Sequence, residues 1–96
     1  MAQLGKIYIT PAGAQLIVTK AGPGPLCDGE VELIMQGSGQ YPQGTAAGSQ
    51  QVALGKRYKS PDGAVEVLIN KPGTCDLRYE GAPMELKEAK PLPSSD

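Results

Sequence analysis

Apolar residues in this chain come in short runs, and nowhere do they recur at the spacing of a helix face. Ile7-Tyr8-Ile9 within Lys6 to Thr10, Leu16-Ile17-Val18 within Gln15 to Lys20, and Glu30 to Met35 make up the first set. Arg57 to Lys59, Val65 to Ile69 and Met84 to Lys87 make up the second. Each run is bounded by Pro or Gly and is rich in β-branched and aliphatic side chains, which predicts short antiparallel strands. Gly22-Pro23-Gly24-Pro25 and Lys71-Pro72-Gly73-Thr74 interrupt the two sets. Proline donates nothing to a β-ladder, so neither stretch reads as an interior strand.

The two sets are related. Leu4-Gly5-Lys6-Ile7-Tyr8-Ile9-Thr10-Pro11-Ala12-Gly13-Ala14 returns fifty residues later as Leu54-Gly55-Lys56-Arg57-Tyr58-Lys59-Ser60-Pro61-Asp62-Gly63-Ala64. Pro61-Asp62-Gly63 has the chemistry of a tight turn: proline presets φ, aspartate bonds nearby amides, and glycine tolerates positive φ. Pro11-Ala12-Gly13 repeats it with less help from its middle residue. A unit of about 35 residues is too small to bury a stable core alone. The duplication therefore predicts two copies closed on each other about a pseudo-twofold axis. The division expected is a first repeat at 1–35, a flexible linker at 36–53, a second repeat at 54–87 and an extended tail at 88–96, with the repeats packed as one domain. The linker assignment rests on the uncharged Gly, Gln and Ser of residues 36–50.

Composition narrows the function more than the fold. Phe and Trp are absent and there are four Tyr, which leaves little for stacking on bases, and the formal charge of −1 provides no field to attract phosphates. Nucleic-acid binding is not expected. No apolar run approaches the roughly 20 residues of a membrane span, and the N-terminus lacks a basic segment followed by an apolar stretch. The expectation is a soluble, cytoplasmic protein with no membrane contact. Histidine is absent, which removes Ser-His and Cys-His catalytic arrangements. The glycine spacings lack the strand-to-helix context of a phosphate loop.

A Tyr, a tight turn, an aliphatic strand, a Gly-containing loop and a late Gly with Pro-Met make a pattern that resembles the desulforedoxin or rubredoxin-like zinc-ribbon family. Arg57 to Ala64, Glu66-Val67-Leu68 and Gly81-Ala82-Pro83-Met84-Glu85-Leu86 carry the likeness, which covers the second copy well and the first weakly. The resemblance implies an all-β fold made of two rubredoxin-like units of short antiparallel strands. It also implies four thiolates per unit around iron or zinc. Here the turn positions are Ser60 and Gly63, with Tyr79 and Glu80 before Gly81. In the first copy they are Thr10 and Gly13, with Cys27 and Asp28 before Gly29, so Cys27 alone of eight positions keeps its thiol. No metal or other cofactor is expected, and contacts between copies must replace metal coordination worth on the order of 10 kcal/mol.

Six residues stand out as candidates, with a pair of carboxylates beside them. Cys27 and Cys75, each followed by Asp, stay open to three readings: structural thiols, a disulfide across the pseudo-dyad, or a reactive or metal-binding pair. Lys6 and Lys56 occupy equivalent positions, as edge charges or as part of a ligand or partner surface. Tyr8 and Tyr58 are likewise equivalent and read as aromatics at the margin of the core, or as part of that same surface. Glu30 and Glu32 would share a face of a strand, with a solvated face the simpler reading. The resulting expectation is a non-catalytic interaction or assembly module, an accessory or adaptor that binds a protein partner or self-associates as a homo-oligomer. The alternative is a thiol-based redox or metal-handling protein using Cys27 and Cys75.

Overall fold

Two turns of the same construction start the sheet. Gly63 adopts a φ of +74°, and its N–H donates to the Ser60 carbonyl at 2.8 Å. Asp62 accepts from the Ser60 hydroxyl at 2.6 Å and from the Ala64 amide at 3.0 Å, while the buried Ser60 hydroxyl accepts the Val65 amide at 3.1 Å. These bonds to the ionised carboxylate hold Asp62 below the usual carboxylate range, the Ser60 hydroxyl first. Thr10 does in the other turn what Ser60 does here: its hydroxyl accepts the Ala14 amide at 3.0 Å, and Gly13 N–H donates to its carbonyl at 3.0 Å.

The structure is a computed structural model that describes residues 2–87. The described residues form β-strands and turns without a helix. The strands are β1 (Ile7–Ile9), β2 (Gln15–Lys20), β3 (Leu26–Asp28), β4 (Val31–Glu32), β5 (Ile34–Met35), β6 (Gln51–Val52), β7 (Arg57–Lys59), β8 (Glu66–Lys71), β9 (Gly73–Thr74), β10 (Leu77–Tyr79), β11 (Ala82–Pro83) and β12 (Glu85–Lys87). All pairings are antiparallel: a six-stranded sheet in the order β12-β7-β8-β2-β1-β5, a four-stranded sheet in the order β11-β10-β3-β4, and the pair β6-β9.

One face of each sheet fills a single core. Alternation along β1, β2, β7 and β8 places Tyr8, Leu16, Val18, Tyr58, Val67 and Ile69 inside. Alternation along β3 and β10 adds Leu26, Leu77 and Tyr79, and with them the charged Asp28. Burial of this aliphatic set, at about 25 cal/mol per Å², is the main favourable term.

Backbone hydrogen bonds recur at a shift of 50 residues before the turns and 51 after them. Gly5 N–H to Val18 O recurs as Gly55 to Ile69, Val18 to Lys6 as Ile69 to Lys56, and Leu33 to Leu26 as Met84 to Leu77, all within 2.8 to 3.1 Å. The pairings that join the halves have the same property. Ile17 lies opposite Leu68 and Cys27 opposite Arg78, each pair separated by 51 positions. On either side, Leu16 with Ile69 mirrors Val18 with Val67.

The expected strand at Glu30 to Met35 is broken at Leu33, which turns its side chain into the core and divides the run between the two sheets. β3 and β10 were not expected: Pro25 and Thr74-Cys75-Asp76 hide three-residue strands whose pairing is set across the halves. Lys71-Pro72-Gly73-Thr74 contributes the end of β8 and all of β9, with Pro72 left between strands. The stretch read as a linker contains β6 and is held at several points. Tyr41 Oη donates to the Ile9 carbonyl at 2.6 Å and accepts the Ile34 amide at 2.8 Å. Gly48 N–H donates to both oxygens of Asp28, at 2.9 and 3.1 Å, and the Gln50 carbonyl accepts the Cys75 amide at 2.8 Å. The tail expected at 88–96 lies outside the described residues.

Two glycines differ in what they tolerate. A Cβ at Gly63 would meet open space, so its substitution costs only the positive φ; a Cβ at Gly48 would collide with the Asp76 amide nitrogen. Gly63→Ala should cost about 1 kcal/mol and lower Tm by several degrees, and Gly48→Ala should lower it further. Thermal unfolding followed by circular dichroism tests this order; wild-type Tm in both variants would contradict it.

Candidate functional site

The six residues singled out by sequence do not converge on one place. Tyr8 and Tyr58 are buried in the core, at equivalent places opposite Leu16 and Val67. Tyr8 Oη accepts the Gln3 amide at 3.1 Å. Burial raises the Tyr58 pKa above its ordinary value, with a smaller contribution from Cys75. Lys6 and Lys56 are exposed, in the turns that precede β1 and β7. Leu4 and Leu54, two positions earlier, are also exposed, at 65% and 64%. Gly5 bonds Val18 and Gly55 bonds Ile69, so the two Leu-Gly-Lys turns sit toward opposite ends of the β2–β8 pair.

The cysteines occupy unlike environments, and both are free thiols. Cys27 alternates outward from β3 between buried Leu26 and Asp28, opposite Arg78 and Glu32. Cys75 belongs to the core ahead of β10. At the 51-residue shift the counterpart of Cys27 is Arg78 and that of Cys75 is Gly24, so the shared Cys-Asp dipeptide does not mark equivalent positions. Burial pushes the Cys75 thiol up to about 12, with Asp28 and Asp76 adding to the effect. Burial and then Glu32 raise that of Cys27. Both shifts favour the thiol over the nucleophilic thiolate.

Asp28 is the residue that sequence reasoning passed over. It is 2% exposed, and its Oδ1 accepts the Asp76 amide at 2.8 Å as well as the Gly48 amide. These charge-assisted bonds satisfy a carboxylate whose burial is otherwise costly. No local signal marked it: Asp28 falls in phase with buried Leu26 only once β3 is known to be a strand. Beside it lies a cavity of ≈ 240 Å³ bordered by Asp28, Glu30, Ala46, Ala47 and Asp76. A second, of ≈ 460 Å³, shares Glu30 and Asp76 and adds Arg78. Arg78 is engaged with Asp76 at 3.1 Å and with the Gly81 carbonyl at 3.0 Å. Glu30 sits in the turn before β4, off the strand it was expected to share with Glu32. Among the described residues no cluster of His, Cys, Asp or Glu has the arrangement to hold a metal, and every buried side-chain polar atom has a partner.

The outer face of the six-stranded sheet is unequal between the halves. Ile7 and Ile9 of β1, Ile17 of β2 and Ile34 of β5 alternate away from the core and are half-buried, next to Leu68 of β8. Their second-half counterparts are Arg57, Lys59, Leu68 and Glu85, and Lys59 pairs with Glu85 at 3.3 Å. At three of these four positions the first half thus presents aliphatic surface where the second presents charge.

No helix among the described residues is long and apolar enough to cross a membrane. Native alkylation should modify Cys27 first and Cys75 at least about a hundredfold more slowly, with the difference abolished in denaturant. Mass-spectrometric peptide mapping over time checks this; equal native rates would contradict the burial of Cys75. No family model, curated protein or solved structure matches this chain.

Proposed function

We propose that this protein is a non-catalytic binding and assembly module, built from two rubredoxin-like copies closed about a pseudo-twofold axis, without a metal. The repeating hydrogen bonds, and the two central pairs Ile17–Leu68 and Cys27–Arg78, support the two-copy reading. One observation carries the binding role: the half-exposed patch Ile7, Ile9, Ile17 and Ile34 on the outer face of the large sheet. The second half carries Arg57, Lys59 and Glu85 at the matching sites, so the fold does not require isoleucine there. Aliphatic surface gathered on one half of a sheet face, with Leu68 at its border, suits contact with another protein surface. A second copy of the chain supplies such a surface, and self-association through this face is the assembly proposed.

The thiol-redox alternative draws no support from the cysteines, since one is in the core, the other faces out, and both are held toward the protonated form.

Ile7→Arg with Ile9→Lys copies onto the first half what the second half already carries. Native mass spectrometry and sedimentation velocity should show a discrete oligomer for the natural sequence and a monomer of unchanged Tm for the double variant. A natural chain that is monomeric at all concentrations, or one that carries stoichiometric zinc or iron, would overturn the proposal.

A further inference from the structure

The surface that joins the two halves is nearly symmetric in its backbone, yet its side chains differ at the places where the halves meet. We propose that it is a heterotypic recognition surface: residues 2–35 accept residues 51–87 and reject a second copy of themselves, and the reverse. The inference rests on the register between the halves and stands apart from the binding role of the outer face.

Two junctions, related by the 51-residue shift, carry the selectivity. In the first, Asp28 faces the second half and its buried carboxylate accepts the Asp76 amide at 2.8 Å. In a pair of first halves, the residue meeting Asp28 would be Pro25, the counterpart of Asp76. Proline has no N–H, so that oxygen would be buried without this donor, a loss that falls on a charged group. Asp28 also takes the Gly48 amide, from the connection that leads into the second half.

In the second junction Tyr79 stands where the first half has Asp28. Its hydroxyl accepts the Gly24 amide at 2.8 Å, and a Cβ at Gly24 would collide with the Glu80 side chain. In a pair of second halves the residue at that place would be Cys75, the counterpart of Gly24. A thiol-bearing side chain would then enter the space that the Glu80 side chain occupies. The real pairing sets a small residue against a large one, and both like pairings spoil that match.

The partner that fits either surface is therefore the unlike half, from the same chain or from a second copy. A chain opened along 36–50 closes on itself or exchanges halves with another copy, and in both cases first meets second. Gly37 to Gln40 are exposed and precede the anchors at Tyr41 and Gly48, so a protease site can replace them in the full chain. The folded chain is cleaved there, dissociated in urea, refolded by dilution and weighed by native mass spectrometry. The ratio of unlike to like pairs should exceed its statistical value of about one by more than about tenfold, the factor that one lost charge-assisted hydrogen bond supplies. A statistical mixture of pairs, or half-chains that do not pair again, would overturn the proposal. In the same experiment Cys75→Gly should allow pairs of second halves to appear; their continued absence would overturn the role given to Cys75.

Discussion

Everything in this fold depends on the antiparallel pairing of β2 with β8. Among the described residues it is the only strand pairing within the six-stranded sheet that joins the first and second halves, and it places Leu16, Val18, Val67 and Ile69 side by side at the centre of the core. Neither half has enough apolar surface to close a core alone. The pairing lets each half cover the other, and the β3–β10 pairing does the same in the second sheet. The ladder shifts register between Gln15 and Leu16 and again between Val18 and Lys20, flanking the aligned centre on both sides.

Around that centre the halves differ in proportion to what their surroundings ask. Buried positions away from the junction keep their type, as in Tyr8 and Tyr58, Leu26 and Leu77, and Leu33 and Met84. Thr10 and Ser60 keep the hydroxyl that closes the turn. Divergence is found at the junction, where Asp28 corresponds to Tyr79 and Gly24 to Cys75, and on the outer face, where Ile7, Ile9 and Ile34 correspond to Arg57, Lys59 and Glu85. The two halves are free to differ at these places because each surface meets a different neighbour.

The all-β class and the turns could be read directly from the sequence because they are local: Pro61-Asp62-Gly63 states its geometry within three residues, and Leu16-Ile17-Val18 is a short aliphatic run that follows such a turn. β3 and β10 could not be read this way. They are three residues long, flanked by Pro25 or by Cys75-Asp76, and their reason for being extended lies in the other half. For the same reason the Gly, Gln and Ser of 36–50 read as a flexible linker. Tyr41 reaches Ile9 and Ile34, and Gly48 reaches Asp28, through contacts that no local pattern records. Cysteine drew the eye to Cys27 and Cys75, while the buried polar group that organises the junction is the neighbouring Asp28.

Amide hydrogen exchange tests the shared core most directly, because it reads the opening free energy at each hydrogen bond. Under native conditions the amides of Gly5, Val18 and Leu33 in the first half, and Gly55, Ile69 and Met84 in the second, are held by matching backbone bonds. A core completed only by both halves predicts that the slowest amides of the two sets exchange together, at the free energy of global unfolding. Two classes, with one half opening well before the other, would show that a half stands on its own, and would contradict the mutual covering on which this fold rests.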